Sequence, residues 1–204
     1  IKFIRASHPL PNQKGVRGAK TILKIAKKAG EKDLVITLIS GGGSSLMPLP
    51  AKGVGLKEKT AITSLLLKSS ATIHEINAVR KHLSGIKGGR LAAAIYPAKC
   101  LNLVISDVLG DDLSVVASGP VSPDPSTQKD AQAVLKKYHL TKKIPAAILS
   151  VIKNSGETPK PGDPVFKNIR TKILANHLSS ARAAKKFGSR KAVILDQCMD
   201  GDCN

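Results

Sequence analysis

A run of three glycines between serines, residues 40–45, is the segment of this chain best suited to holding an anion. It directly follows an apolar stretch, residues 34–39, with the composition of a buried strand. Glycine allows backbone conformations closed to other residues, so main-chain N–H groups can approach a negative charge closely. The spacing and lysine of a Walker loop are absent. The sequence therefore predicts anion binding here, with a plain strand-to-helix turn as the alternative. This glycine loop consists of Ser40, Gly41, Gly42, Gly43, Ser44 and Ser45.

A basic segment, residues 77–90, supplies the cations that such a loop would need. Asn77 and Lys81 share a helix face by their i, i+4 spacing, and Arg80 is adjacent to that face. Lys87 precedes two glycines at the start of the next helix. A cation beside flexible backbone at a helix start favours an anion. The alternative for each cation is a solvated residue at a helix end in a basic protein. The candidate residues are Arg80, Lys81, Lys87, Gly88 and Gly89.

Three carboxylates, Asp107, Asp111 and Asp112, follow a second apolar stretch, residues 101–105. Magnesium accepts one or two protein carboxylates together with phosphate oxygens and water. Asp107 is the best placed because it leaves the strand first, whereas Asp111 or Asp112 has the alternative of capping the following turn. The sequence predicts a magnesium site with Asp107 and Asp111 as ligands.

A rigid loop near the start of the chain, residues 7–12, contains His8 between a serine and two prolines, and this histidine could face the same cleft. Glycine-rich backbone, basic side chains and strand-end aspartates together indicate phosphoryl transfer, which needs positioning and charge neutralisation more than covalent chemistry. Neither a G-x-S-x-G elbow nor a G-x-G-x-x-G fingerprint is present, so hydrolase and dehydrogenase functions lack support.

The elements that must position these residues alternate between strand and helix. Strands are predicted at residues 34–39, 101–105, 169–174 and 192–195, and helices at 18–29, 56–69, 72–83, 89–95, 130–138 and 179–187. Residues 154–164 are rich in proline and glycine and read as an exposed connection. The alternation predicts an α/β fold, a three-layer α/β/α Rossmann-like arrangement with a parallel sheet. Ligands of such sheets gather beyond the carboxyl ends of the strands.

The composition limits the range of functions. The 204 residues carry a formal net charge of +19, but the lysines are spread along the chain and only 2% of residues are aromatic, which does not favour nucleic acid as a partner. No apolar run approaches the roughly 20 residues that span a bilayer, so no membrane association is expected. Cys100, Cys198 and Cys203 lack metal-site spacing and are interpreted as reduced thiols of a cytoplasmic protein.

Several long motifs occur in a characteristic order along the chain. They are His8-Pro9-Leu10-Pro11-Asn12, the glycine loop with Leu46, residues 76–84 with Lys87-Gly88-Gly89, residues 106–111 with Ala117-Ser118-Gly119-Pro120, residues 123–127 and residues 157–161. In this order they resemble the ATP-dependent glycerate 2-kinases, some of which were long labelled hydroxypyruvate reductases. The resemblance covers essentially all 204 residues.

The resemblance implies that the γ-phosphoryl group of ATP passes, with Mg²⁺, to the 2-hydroxyl of D-glycerate, giving 2-phosphoglycerate and ADP. It also implies a cleft between this α/β domain and a smaller C-terminal domain. The glycine loop, with Lys87, Gly88 and Gly89, would bind an anionic group of the nucleotide or substrate. Arg80, Lys81 and Lys87 would neutralise charge, and Asp107 would bind the metal or orient the acceptor hydroxyl, with Asp111 as a second metal ligand. A homodimer is among the expected assemblies.

The chain departs from the family pattern in three places. The family has an upstream glycine-rich segment with a functional lysine, it continues past residues 200–202 into a domain that supplies an arginine, and an acidic residue is common where Asn12 stands. Residues 1–204 are therefore interpreted as an incomplete α/β kinase domain without the family's N-terminal segment and C-terminal domain. The alternative function is a non-catalytic basic α/β module that binds polyanions such as nucleic acid.

Overall fold

A three-stranded parallel sheet forms the centre of the fold in the computed structural model, which describes residues 2–188. The strands are β1 (Leu34–Ile39), β2 (Lys99–Ile105) and β3 (Ile169–Ala175), in the order β1-β2-β3, with Leu34 paired to Lys99 and Cys100 to Ile169. The predicted α/β fold with a parallel sheet is confirmed. The strand predicted over 192–195, together with Cys198 and Cys203, lies outside the described residues.

Eight α-helices connect and flank these strands within residues 2–188. They are α1 (Gln13–Ala26), α2 (Gly43–Leu46), α3 (Leu56–Lys68), α4 (Ile73–His82), α5 (Arg90–Ile95), α6 (Gln128–Lys137), α7 (Ala146–Asn154) and α8 (His177–Phe187). Helix α1 begins at Gln13 instead of residue 18 because the Asn12 side chain caps it, accepting a hydrogen bond from Gly15 N at 3.0 Å. Helix α4, predicted over residues 72–83, begins with a capping box between Thr72 and Glu75.

Helix α7 is an element that the sequence did not predict. Ile148 and Ile152 lie four residues apart on its inner face and are fully buried, and Pro145 precedes its first turn. These two residues pack in a core cluster with α3, α4 and α6, for example against Ile62 and Leu135. A second cluster packs α1 and α5 against one face of the sheet. No helix within residues 2–188 is long and apolar enough to cross a membrane.

Strand β1 was expected to be covered on both faces, and the described residues cover one of them. Val35 and Ile39 pack in the cluster with α1 and α5, whereas Leu34, Ile36 and Leu38 point to the other face and are exposed. The apolar residues Leu34, Ile36 and Leu38 thus form a face of β1 on which no element among residues 2–188 packs.

The connection predicted over residues 154–164 is exposed only in part. Residues 154–157 face solvent, but Thr158 is buried. Its hydroxyl donates a hydrogen bond to the buried Asp124 Oδ2 at 2.9 Å. The segment thus belongs to the packed structure at Thr158.

Candidate functional site

The glycine loop leaves the carboxyl end of β1 and lies directly against Asp107, which follows the carboxyl end of β2. A Cβ atom on Gly41 would come within 2.6 Å of Asp107 Cγ, closer than real Cβ contacts allow. Only glycine at this position lets the carboxylate approach the loop backbone so closely. The Asp107 side chain is exposed and makes no hydrogen bond within residues 2–188, so both of its oxygens are available to a ligand.

His8 closes the loop from the side of the N-terminal segment. A Cβ on Gly42, whose φ is 76°, would lie 3.1 Å from His8 Cδ2. The histidine that the sequence placed near the cleft is therefore beside the glycine loop, which Asp107 also contacts.

Lys87 approaches the glycine loop from the protein interior. It is fully buried, and its Nζ donates hydrogen bonds to Ala117 O at 3.1 Å and to Gly43 O at 3.5 Å. Burial, assisted by the positive charge of Arg80, lowers the pKa of Lys87 to about 7. The loop therefore has a titratable cation behind it and an exposed carboxylate beside it.

A chain of hydrogen bonds ties the loop to α4. Ser118 Oγ donates to Asn77 Oδ1 at 2.9 Å, and the hydroxyls of Ser44 and Ser118 are 2.6 Å apart. Because the Ser118 proton goes to Asn77, Ser44 donates to Ser118. Arg80 also donates to Asn77 Oδ1, at 3.4 Å, and burial lowers the pKa of Arg80. Asn77 is thus a positioning residue, and its buried Nδ2 has no partner within residues 2–188.

The turn that carries Ser118 has an unusual backbone. Ala117 and Ser118 adopt positive φ values of 51° and 61°, which side-chain-bearing residues rarely do. A Cβ on Gly43 would lie 2.7 Å from the Ala117 Cβ, so the turn and the loop are in direct contact. Such strained backbone concentrates at functional sites. It indicates that the surrounding contacts hold the loop in one conformation.

Lys81 makes its side-chain hydrogen bond to Asp124 and not to the glycine loop. Its Nζ is 3.1 Å from Asp124 Oδ1, and both side chains are almost completely buried. Burial raises the pKa of Asp124, but the charge of Lys81 and hydrogen bonds from Ser126 and Thr158 outweigh this effect, leaving the pKa below its ordinary value. In residues 2–188 Lys81 is therefore the cation of a buried ion pair. Its partner lies 43 residues further along the chain, so the local spacing of α4 did not predict it.

Gly88 and Gly89 use their amide groups within the fold. Gly88 N donates to Ser118 O at 3.0 Å and Gly89 N to Gly119 O at 2.8 Å. Their φ values are 57° and 76°, and a Cβ on Gly89 would lie 2.8 Å from Phe166 Cζ. The structure thus explains both glycines by close packing and backbone geometry, and it does not leave their N–H groups to an anion.

Asp111 points towards the end of β3. Its Oδ2 accepts a hydrogen bond from Asn176 Nδ2 at 2.6 Å, and this bond is the main cause that lowers the pKa of Asp111. Its Oδ1 has no partner within residues 2–188. That part of the chain contains no group of three or more histidine, cysteine, aspartate or glutamate residues arranged to hold a metal. Of the two predicted ligands, Asp107 is the one beside the glycine loop.

A cavity of about 400 Å³ opens beside the end of the glycine loop. Ser44 and Ser45 line it together with Arg80 and with Lys59 of α3. Lys59 is a residue that the sequence did not single out. Its spacing gives a signal, however, because Lys59, Ile62 and Leu66 fall at i, i+3 and i+7, which places a lysine on the buried face of α3.

The chain resembles known proteins along almost its whole length. A family described as "Domain of unknown function (DUF4147)" matches residues 1–153. The chain is 42% identical over 208 residues to the glycerate 2-kinase of Pyrococcus horikoshii, covering 99% of this chain and 47% of that protein. It is 44% identical over 205 residues to the D-glycerate 2-kinase of Thermotoga maritima, covering 98% and 47%.

A solved structure shows the same fold. The crystal structure of a glycerate kinase from Thermotoga maritima matches with a TM-score of 0.80 and 44% identity, over 89% of this chain and 42% of that one. The chain spans about half the length of the curated relatives it matches. Because the family match extends over more than half of these residues, the chain belongs to the DUF4147 family, and its resemblance to the glycerate 2-kinases is confirmed.

Proposed function

We propose that the protein transfers the γ-phosphoryl group of ATP to the 2-hydroxyl of D-glycerate. In this step the bond between the γ-phosphorus and the oxygen that leaves with ADP breaks, and the 2-hydroxyl oxygen forms a bond to phosphorus and loses its proton. The proposal is supported by relatives named glycerate 2-kinase and D-glycerate 2-kinase at 42% and 44% identity. An ATP-dependent, cytoplasmic enzyme is part of the same proposal.

One structural observation carries the proposal: a single backbone loop at the carboxyl end of a parallel strand contacts both a free carboxylate and a buried cation. Asp107 contacts the loop at Gly41, and Lys87 binds it at Gly43. Phosphoryl transfer requires this combination, because negative charge must be neutralised while the acceptor and the phosphoryl group are held in line.

The residues take distinct roles in this proposal. The glycine loop holds an anionic group of ATP or glycerate, Arg80 and Lys87 neutralise charge, and Asp107 binds the metal or orients the acceptor hydroxyl. Lys81 acts as a positioning residue, because its ion pair with Asp124 fixes α4 and thereby Arg80.

Asp107 fits a magnesium ligand, since it is an exposed carboxylate without a hydrogen bond in residues 2–188. Asp111 offers one oxygen, because Asn176 occupies the other. When bound, Mg²⁺ neutralises charge on the phosphate groups. The protein's own contribution is to keep Asp107 against the glycine loop.

Phosphorus NMR of the protein with Mg-ATP and D-glycerate tests the proposal directly. The expected result is a new 2-phosphoglycerate signal that grows with the ADP signals. A full-length protein of verified mass that binds ATP yet forms no phosphorylated acid would overturn the assignment. The alternative of a polyanion-binding module predicts instead tight, salt-sensitive binding to unrelated nucleic acids without a preference for ATP, and none of the relatives compared above is named as such a protein.

The buried cation Lys87 predicts a pH dependence of ligand binding. Its pKa of about 7 means that the charge is present below that pH and lost above it. A bound anion favours the charged form and raises the pKa, so anion affinity should fall by up to about tenfold per pH unit above pH 7. Calorimetric titration with ATP across this range measures the effect. Lys87→Met should remove the part of the pH dependence that Lys87 contributes, and an unchanged profile in that variant would contradict the prediction.

The contact between Gly41 and Asp107 predicts a large effect of a small substitution. In Gly41→Ala, the new methyl group must displace the Asp107 carboxylate from the loop. Misplacing a group by about 1 Å can lower the rate about 100-fold, so kcat should fall by that order. Gly30→Ala is the matched control, since the nearest atom to its Cβ is Asp33 Oδ2 at 3.9 Å. Equal activity of the two variants would show that the close contact is not needed.

A further inference from the structure

The cavity beside α3 is lined by both apolar and positively charged side chains. Prolines and leucines, such as Pro9 and Leu67, line it together with Ser44, and Lys59 and Arg80 are its charged residues. No carboxylate lines it, although its volume of about 400 Å³ lies in the usual range of small-molecule sites. A cavity that is lined by two cations and by no carboxylate suits a negatively charged ligand, which these cations can bind directly.

Lys59 is the most unusual residue of this cavity. Only 5% of its surface is exposed, and its Nζ makes one hydrogen bond, to Leu49 O at 3.3 Å. The charged groups that act on it are Arg80 from α4, Lys87 from the following turn and Arg90 from α5, all of them positive. None of the ion pairs within residues 2–188 includes Lys59, Arg80 or Lys87.

A buried cation without a counter-ion opposes folding, because its charge has lost hydration and gained no opposite charge. Burial is the main cause that lowers the pKa of Lys59 well below its usual value, and the neighbouring positive charges lower it further. An apolar residue of similar size at this position would pack without that penalty. A buried cation that has no counter-ion in the described fold indicates a ligand-binding role.

We propose that Lys59 is a further ligand-binding residue of this site and that, together with Arg80, it binds an oxyanion entering the α3 cavity beside Ser44. The oxyanion is a carboxylate or phosphate group, which the acceptor acid or the nucleotide would supply. The inference rests on the proposed function only in the identity of the ligand, since the unpaired cations are properties of the fold.

Binding of the anion is coupled to protonation of Lys59. In the free protein the lowered pKa of Lys59 means that its amine loses its proton at a lower pH than the amine of an ordinary lysine. A bound anion favours the protonated, charged form. Ligand binding therefore takes up a proton at pH values between the free and bound pKa values. Arginine in place of Lys59 stays charged and would bind without this proton uptake.

The test is calorimetric titration of the protein, in two buffers of different ionisation enthalpy, with D-glycerate and separately with ATP in the presence of EDTA. Lys59→Met removes the charge and keeps the length of the side chain. It should weaken binding of one of these ligands by about 10- to 100-fold. Its melting temperature should equal or exceed that of the wild type. Lys57→Met, which replaces an exposed lysine of the same helix, is the control and should change neither quantity.

The ligand that loses affinity identifies the anion: D-glycerate alone indicates a carboxylate, and ATP indicates a phosphate. Lys59→Arg should restore most of the affinity and lower the measured proton uptake. Unchanged affinity of Lys59→Met for both ligands overturns the inference, as does a loss of affinity that appears only with a lower melting temperature. If phosphorus NMR finds no phosphoryl transfer but Lys59→Met still weakens anion binding, the proposed function fails and this inference stands.

Discussion

Asp107→Asn is expected to lower kcat for phosphoryl transfer by about 100- to 1000-fold, the range found when one preorganised electrostatic group is removed from an active site. Asparagine has nearly the same shape and fits against Gly41, but it lacks the negative charge that a metal or an acceptor proton requires. The side chain makes no hydrogen bond within residues 2–188, so the melting temperature should stay close to that of the wild type. Steady-state kinetics with Mg-ATP and D-glycerate, together with thermal unfolding, measure both quantities.

Asp33→Asn is the matched control for this variant. Asp33 is an exposed carboxylate at the opposite end of β1, where its Oδ2 accepts a hydrogen bond from Gly30 N at 2.8 Å. An amide oxygen can accept the same bond, so kcat should not change. Wild-type kcat in Asp107→Asn would contradict the assignment of this carboxylate to the reacting groups.

Lys81→Met is expected to destabilise the fold by about 3–5 kcal/mol, the usual effect of removing one partner from a buried ion pair. Asp124 has no exposed surface, and its Oδ1 lies 3.1 Å from Lys81 Nζ. Ser126 and Thr158 still donate to the carboxylate, but they do not neutralise its charge. Urea unfolding, analysed with a common slope, measures the difference in the free energy of unfolding.

Two further variants separate this effect from a direct role of Lys81 in the reaction. Lys81→Met with Asp124→Asn removes both charges and should be less destabilised than Lys81→Met alone. Lys136→Met, at an exposed position of α6, should change stability by less than about 0.5 kcal/mol. Because the pKa of Asp124 is lowered in the folded chain, its contribution is complete above the unfolded value of about 3.9 and is lost as the pH falls through the folded value. A stable but inactive Lys81→Met would contradict the structural role.

The sequence by itself determined the elements and the neighbourhood of the site. The alternation of apolar strands and amphipathic helices predicted the parallel sheet, and strand ends placed the glycine loop and Asp107 at the same edge. These features are local, because the strand pattern, the glycine run and the acidic residue after the strand are each contained in a few consecutive residues. The cap at Asn12 and helix α7 depended on weaker local signals, and their positions were not predicted correctly.

Only the tertiary structure decided which partner each of the candidate cations binds. Arg80, Lys81 and Lys87 look equivalent in the sequence, yet Lys81 is bound to Asp124, Lys87 holds the glycine loop, and Arg80 lines a cavity. Lys59 joins Arg80 there from another helix, although it had no functional signal beyond its place on a buried face. Partner choice depends on contacts between residues distant in the chain, and a short sequence pattern contains no record of them. The charge of a lysine is visible in the sequence, whereas its counter-ion, its burial and its pKa are properties of the folded chain.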